Sequence, residues 1–99
     1  MKTEIIPEVG DKFAIKNRRF GFSFTNKAGG TGMSNWEFDV KYTGTAPIVK
    51  ITKVWFDEEC GYRCWSEAVS PELIAYLKEV ASPSDQRVFV SQWDLEVIK

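Results

Sequence analysis

Few side chains in this sequence could carry out a reaction. There is no histidine, which removes the commonest general base, the imidazole metal ligand and the one side chain that ordinarily titrates near neutrality. Two cysteines remain, Cys60 and Cys64, separated by Gly61-Tyr62-Arg63. That spacing is neither the redox Cys-x-x-Cys nor half of a zinc quartet. On one extended strand, four steps of ~3.3 Å hold the pair ~13 Å apart, beyond the ~7 Å Cα reach of a disulfide. A turn at Gly61 could bring them together, but in a reducing compartment free thiols are the expectation. Carboxylates gather at Asp57, Glu58, Glu59 and Glu67, yet acids clustered at a turn are ordinarily solvated, and the Asp-x-Asp-x-Asp-Gly pattern of a calcium loop is missing. No catalytic residue, metal site or cofactor is expected.

Recognition then falls to aromatic and basic side chains. Fourteen aromatics, four of them Trp, are generous for 99 residues, and rings with Arg are the usual anchors of protein interfaces. The partner-binding candidates are Arg18, Arg19, Phe20, Phe22, Phe24 and Lys27, together with Trp55 and Tyr62. Phe20, Phe22 and Phe24 alternate with Gly21 and Ser23, so a strand there carries an aromatic ridge on one side. Such a ridge packs into a core, contacts a protein, or stacks on bases. Packing into the core is the ordinary outcome.

The order Arg18-Arg19-Phe20-Gly21-Phe22-Ser23-Phe24 resembles, in part, the aromatic RNA-binding strand of the RRM and cold-shock families, and Val88-Phe89-Val90 is similar to the second cold-shock strand. The resemblance implies base stacking by the rings, with Lys12, Lys16 and Lys27 near phosphate. Arg19 stands where those motifs carry glycine, Ser91 replaces a histidine, and ~65 residues separate the two segments, a distance taken here to place them on strands that are not neighbours. The opening Pro7-Glu8-Val9-Gly10-Asp11-Lys12-Phe13, before short strands and a late helix, looks like the start of an SH3-like barrel. That resemblance implies a small bent sheet and no particular ligand.

Charge narrows the partner. The formal total is −1, too low for a strongly basic nucleic-acid binder. Residues 1–56 hold nine Lys/Arg against five Asp/Glu, and residues 57–99 hold four against nine. The two ends of the chain therefore differ in sign, which could steer a charged partner, although solvated charges that offset each other are commoner.

The elements that would position these groups follow from periodicity. Residues 11–16 place Phe13 and Ile15 on one side of a first strand, and 18–24 form the ridge strand. Residues 26–32, with three glycines, read as a loop and lack the spacing of a phosphate cradle. Trp36, Phe38, Val40 and Tyr42 alternate with polar residues over 35–42, a strand with one buried side. Ile48 to Phe56 is β-rich, but Lys50 and Lys53 have opposite parity, so a bulge or bend near Thr52 is needed to keep both out of the core. Residues 57–61 form a hairpin turn and Tyr62 to Glu67 the return strand. Ser70 caps and Pro71 opens a helix carrying Leu73, Tyr76, Leu77 and Val80 to about Ala81, with Glu72 at its positive end. Residues 87–90 and 93–98 finish as one broken strand or two, with Trp93, Leu95 and Val97 on one side.

The sum is a single α+β, mainly β, domain over 1–99: a small, strongly bent antiparallel sheet or SH3-like partial barrel of about five to seven strands, with one short helix near 71–81. No apolar stretch approaches the ~20 residues of a membrane span, and the N-terminus lacks a secretory apolar stretch, so cytoplasmic residence is expected. The function expected is a small non-enzymatic interaction protein, monomer or homodimer, that binds a protein partner in the manner of phage or mobile-element accessory and inhibitor proteins. The alternatives are single-stranded nucleic-acid binding through Arg18–Phe24 and a small-molecule sponge.

Overall fold

The computed structural model describes residues 5–15, 22–33 and 47–98. The strand expected over 35–42, and Lys16, Arg18, Arg19 and Phe20, lie outside the described residues. In chain order the elements are β1 (Lys12–Ile15), β2 (Ser23–Thr25), β3 (Thr31–Met33), β4 (Ile48–Asp57), β5 (Gly61–Ala68), α1 (Pro71–Val80), β6 (Val88–Ser91), a 3-10 turn η1 (Gln92–Asp94) and β7 (Leu95–Glu96). The seven strands form one antiparallel sheet in the order β3-β2-β6-β5-β4-β1-β7. β3 and β7 are its ends and do not pair with each other among the described residues, so the sheet is open and does not close into a barrel.

The core lies between one face of this sheet and α1. Val49 and Ile51 of β4, Cys64 of β5, and Val88 and Val90 of β6 are almost fully buried with Leu73 and Leu77 of α1. Leu73 and Leu77 are one turn apart, which is why they share the buried side, while Tyr76 and Val80 pack at its margin. Pro71 opens the helix as the sequence predicts. Ser70, however, makes no side-chain cap: its Oγ accepts the Ile48 amide at 3.1 Å and so ties the helix start to β4.

The parity conflict in β4 is resolved by a bulge. Ile51 pairs with Ser66 but Lys53, not Thr52, pairs with Trp65, so Thr52 is the extra residue. Without it, Lys53 would oppose Cys64 on the core side and Val54 would turn outward. With it, Val54 and Phe56 follow Ile51 on the helix side, and both lysines stay out of the core.

Two corrections concern the ends of the sheet. Thr31 and Gly32, expected as loop, belong with Met33 to β3, which pairs with β2 and sets Gly32 opposite Phe24. At the other end η1 interrupts the alternation, so Leu95 is fully buried while Trp93 and Val97 are 56% and 66% exposed. The three do not share a side as the sequence spacing predicted.

Candidate functional site: the sheet face opposite the helix

In a strand alternate residues turn to opposite faces, so the register that buries Cys64, Val88 and Val90 directs Arg63, Trp65, Phe89 and Ser91 to the face opposite α1. Across that face, Lys53 pairs with Trp65, Trp65 with Phe89, and Phe89 with Ser23, a row running over four strands. Trp55, opposite Arg63, stands beside it. Among the described residues no helix or strand packs on this face.

The rings there are not laid flat. Trp55 and Phe89 stack with centroids 5.8 Å apart and planes 24° from parallel, and Trp65 meets Phe89 at 5.6 Å and 59°. Two guanidiniums complete the cluster: Arg63 lies 4.5 Å from the Phe89 centroid and Arg87 4.0 Å from that of Trp65. Cation–π contacts of this kind contribute about 0.5–1 kcal/mol each at exposed sites, so the arrangement is held as a unit.

The two guanidiniums differ in how closely a carboxylate meets them. Arg87 donates from Nε and Nη2 to both oxygens of Asp85, at 2.9 and 3.0 Å. Thr25 Oγ1 donates to the same carboxylate at 2.8 Å, linking β2 to the loop before β6. Those donors, Arg87 first, hold the Asp85 carboxyl well below the usual carboxylate range despite its partial burial. Arg63 Nη1 lies 3.8 Å from Asp57, while its Nε is buried with no hydrogen-bond partner among the described residues. Beside the cluster are two shallow depressions. One, of about 380 Å³, is bordered by Arg63, Phe89, Ser91, Cys60 and Trp93; the other, of about 290 Å³, by Trp65, Phe89, Thr25 and Thr31.

The residues picked from sequence divide three ways. Trp55 belongs to the cluster. Phe22 and Phe24 are only 3% and 6% exposed, edge-on to Tyr76 of α1, so as partner-contact residues they are corrected to core residues. Tyr62 lies on the helix side of the sheet against Phe56, ring centroids 5.1 Å apart, and exposed Lys27 sits in the turn after β2; neither joins Trp55. Arg63, Trp65 and Arg87 are not among the candidates the sequence offers, and Phe89 enters there only through the cold-shock resemblance. Their signal was present in the alternation of Arg63 and Trp65 with Cys64 and Ser66, once Trp55 is assigned its parity beyond the bulge.

The segments around Phe24 and Phe89, far apart in sequence, are in fact neighbours, since β2 and β6 pair at Ser23 and Phe89. Separation along the chain was the wrong criterion, because a long connection can return a strand to any place in a sheet. They still form no joint ring platform, as Phe22 and Phe24 face the core and Phe89 faces away.

Both cysteines are free; Cys60 is exposed in the β4–β5 turn and Cys64 is fully buried, its thiol pushed up to about 11 by burial. Among the described residues no three Cys, Asp or Glu side chains gather as a metal site, and no helix is long and apolar enough to cross a membrane. Compared with family models, curated proteins and solved structures, the chain matches none.

Proposed function

We propose that this chain is a non-enzymatic binding module that docks a protein partner on the sheet face opposite α1. Trp55, Trp65 and Phe89 supply the anchoring rings, and Arg63 and Arg87 the polar fringe. The observation carrying this is the state of the cluster: rings stacked on one another and on two guanidiniums, of which Arg87 is held bidentately by Asp85. A base would need a free ring face. A protein surface does not, because a preformed Trp and Arg patch loses little side-chain freedom on docking.

Two free cysteines support the cytoplasmic setting expected from the sequence. The accessory or inhibitor role belongs to the same proposal, supported by the small size and by the absence of histidine from the sequence. A bent sheet does too: η1 carries the chain from β6 to β7 in three residues, although four strand spacings of ~4.8 Å would separate those strands in a flat sheet, and the Thr52 bulge supplies a place to bend.

The test compares capture from a lysate of the source organism by the native protein and by Trp65→Ala and Trp55→Ala variants, read by mass spectrometry, with an oligonucleotide titration alongside. A protein held by the native chain and lost by both folded variants is the expected result. Recovery of nucleic acid without protein, with low-salt oligonucleotide binding, would reverse the order of the two readings.

A further inference from the structure

Strand β4 is ten residues long, but β1 covers only its first part. The paired residues are Lys12↔Lys50, Phe13↔Val49 and Ala14↔Ile48. The last bonds on that side are Ile51 N–H to the Asp11 carbonyl and Gly10 N–H to the Ile51 carbonyl, both 2.8 Å. From Thr52 to Asp57, no strand or backbone hydrogen bond among the described residues meets the edge opposite β5.

The direction of the unpaired groups follows from the ladder. Ile51 points its N–H and C=O toward β1. The next pair beyond the bulge, Lys53↔Trp65, therefore bonds within the β4–β5 hairpin, and alternation turns the N–H and C=O of Val54 and Phe56 outward. An open edge of this kind is a template for another strand. Its side chains are already sorted: Lys53, Trp55 and Asp57 on the face opposite α1, Val54 and Phe56 on the helix side, with Phe56 61% exposed.

We propose that this edge pairs with the same edge of a second copy, antiparallel, in the register Lys53↔Asp57, Val54↔Phe56 and Trp55↔Trp55, about a two-fold axis at Trp55. The sequence is self-complementary in this register. Each Lys53 faces the partner's Asp57, and the two Val54↔Phe56 pairs exchange four outward hydrogen bonds while covering both exposed Phe56 rings. The two-fold registers on either side of it that also bring outward groups together fail. Centring on Val54 sets Lys53 against Trp55, and centring on Phe56 sets Asp57 against Trp55. Asp57 can receive the lysine, since it holds the Glu59 and Cys60 amides with Oδ1 and its Oδ2 lies 3.8 Å from Arg63. An isologous contact of this type closes after two copies and leaves no further edge of its kind. The bonds lie in the plane of the sheet, so the pairing sets two proposed docking faces side by side, with Trp55 shared between the docking cluster and the seam and Trp65 and Phe89 one and two strands away from it.

Sedimentation equilibrium from micromolar to sub-millimolar protein tests the pairing, with circular dichroism to confirm that each variant folds. The native chain should form a reversible dimer that weakens as salt rises. Lys53→Glu, which sets a glutamate against an aspartate in each of the two symmetry-related pairs, should weaken it by about ten-fold or more. Val54→Pro removes an outward N–H and no bond within the protomer, and should abolish it. In a Cys60→Ser background, Trp55→Cys should oxidise to a covalent dimer, because a directly opposed, non-bonded pair has Cα atoms about 4.5 Å apart, within disulfide reach. Lys53→Cys, whose opposite is Asp57, should not. A monomer throughout, a dimer indifferent to Lys53→Glu, or equal cross-linking of the two cysteine variants would overturn the proposal.

Discussion

Gly32 offers a quantitative test of how the core face is built. It lies opposite Phe24 in the β2–β3 pair, and a Cβ placed on it would stand 2.5 Å from Phe24 Cε2 and 2.7 Å from Cζ. Carbon atoms at rest sit about 3.5–4.0 Å apart, so Gly32→Ala requires the ring to move by about 1 Å. The ring has little freedom to do so. It is 6% exposed, 6.2 Å centroid to centroid from both Phe22 and Tyr76. Overpacking of a filled core costs about 1–3 kcal/mol, and this geometry belongs at the upper end, about 2–3 kcal/mol. Phe24→Leu deletes Cε2 and Cζ, the two clashing atoms. In that background Gly32→Ala should become neutral or stabilise by about 0.5–1 kcal/mol, the ordinary advantage of Ala over Gly in a strand. The coupling between the two sites is then about 3 kcal/mol. Urea unfolding followed by tryptophan fluorescence on the four proteins measures it: with a slope of about 1.5 kcal/mol per molar, Gly32→Ala should lower the midpoint by about 1.5–2 M with Phe24 present and leave it nearly fixed with Leu there. Equal shifts in both backgrounds would refute the claim that Phe24 occupies the space a side chain at 32 would need.

Three further outcomes are expected. Gly61 has φ of 80°, and a Cβ there would overlap Gln92 Oε1 and stand 3.3 Å from Trp93 Nε1, so Gly61→Ala should cost about 2–4 kcal/mol and lower the melting temperature by about 10 °C or more; an unchanged melting temperature would contradict it. A thiol reagent at pH 8 should modify exposed Cys60 quickly and buried Cys64, whose thiol is pushed up to about 11, only on unfolding. Because the folded Cys64 thiol ionises later than the unfolded one, stability should also fall as pH rises past about 9, and two equally fast thiols would sink the assignment. The Asp85 carboxyl is held low in the folded chain, chiefly by Arg87. Its contribution is present above the unfolded carboxylate value of about 3.9 and is lost as pH falls below it. Arg87→Gln should therefore move the acid-unfolding midpoint upward, and coincident midpoints for native and variant would remove Asp85 from the account.

Where one rule decides the outcome, the sequence was readable. The helix could be placed from Pro71 and the Leu73/Leu77 spacing, and the bulge at Thr52 from two lysines of opposite parity, because each depends on neighbours along the chain. Ser70 shows the limit: its hydroxyl has two possible uses, and the choice of the Ile48 amide over its own helix depends on β4 lying alongside. The same holds for β3. Gly32 breaks a strand pattern locally, and only the Phe24 ring covering it makes the strand intelligible. For the site, Trp55 was found because it stands out by type, whereas Phe89 and Arg87 acquire their place from cross-strand register. Phe22 and Phe24 meet the ordinary fate of an alternating aromatic ridge, which is burial.

The pairing of β1 with β7 joins Ala14 and Ile15 to Glu96 and Leu95 across some eighty residues of chain. During synthesis, β1 must therefore wait, with one flank and the Ile15 side chain unprotected, until that much more polypeptide has left the ribosome. Loop closure over such a distance slows folding, and the waiting segment is open to proteases and to neighbouring chains. A chain cut short before Leu95 would lack the partner of Ile15 and keep that flank of β1 open to other chains.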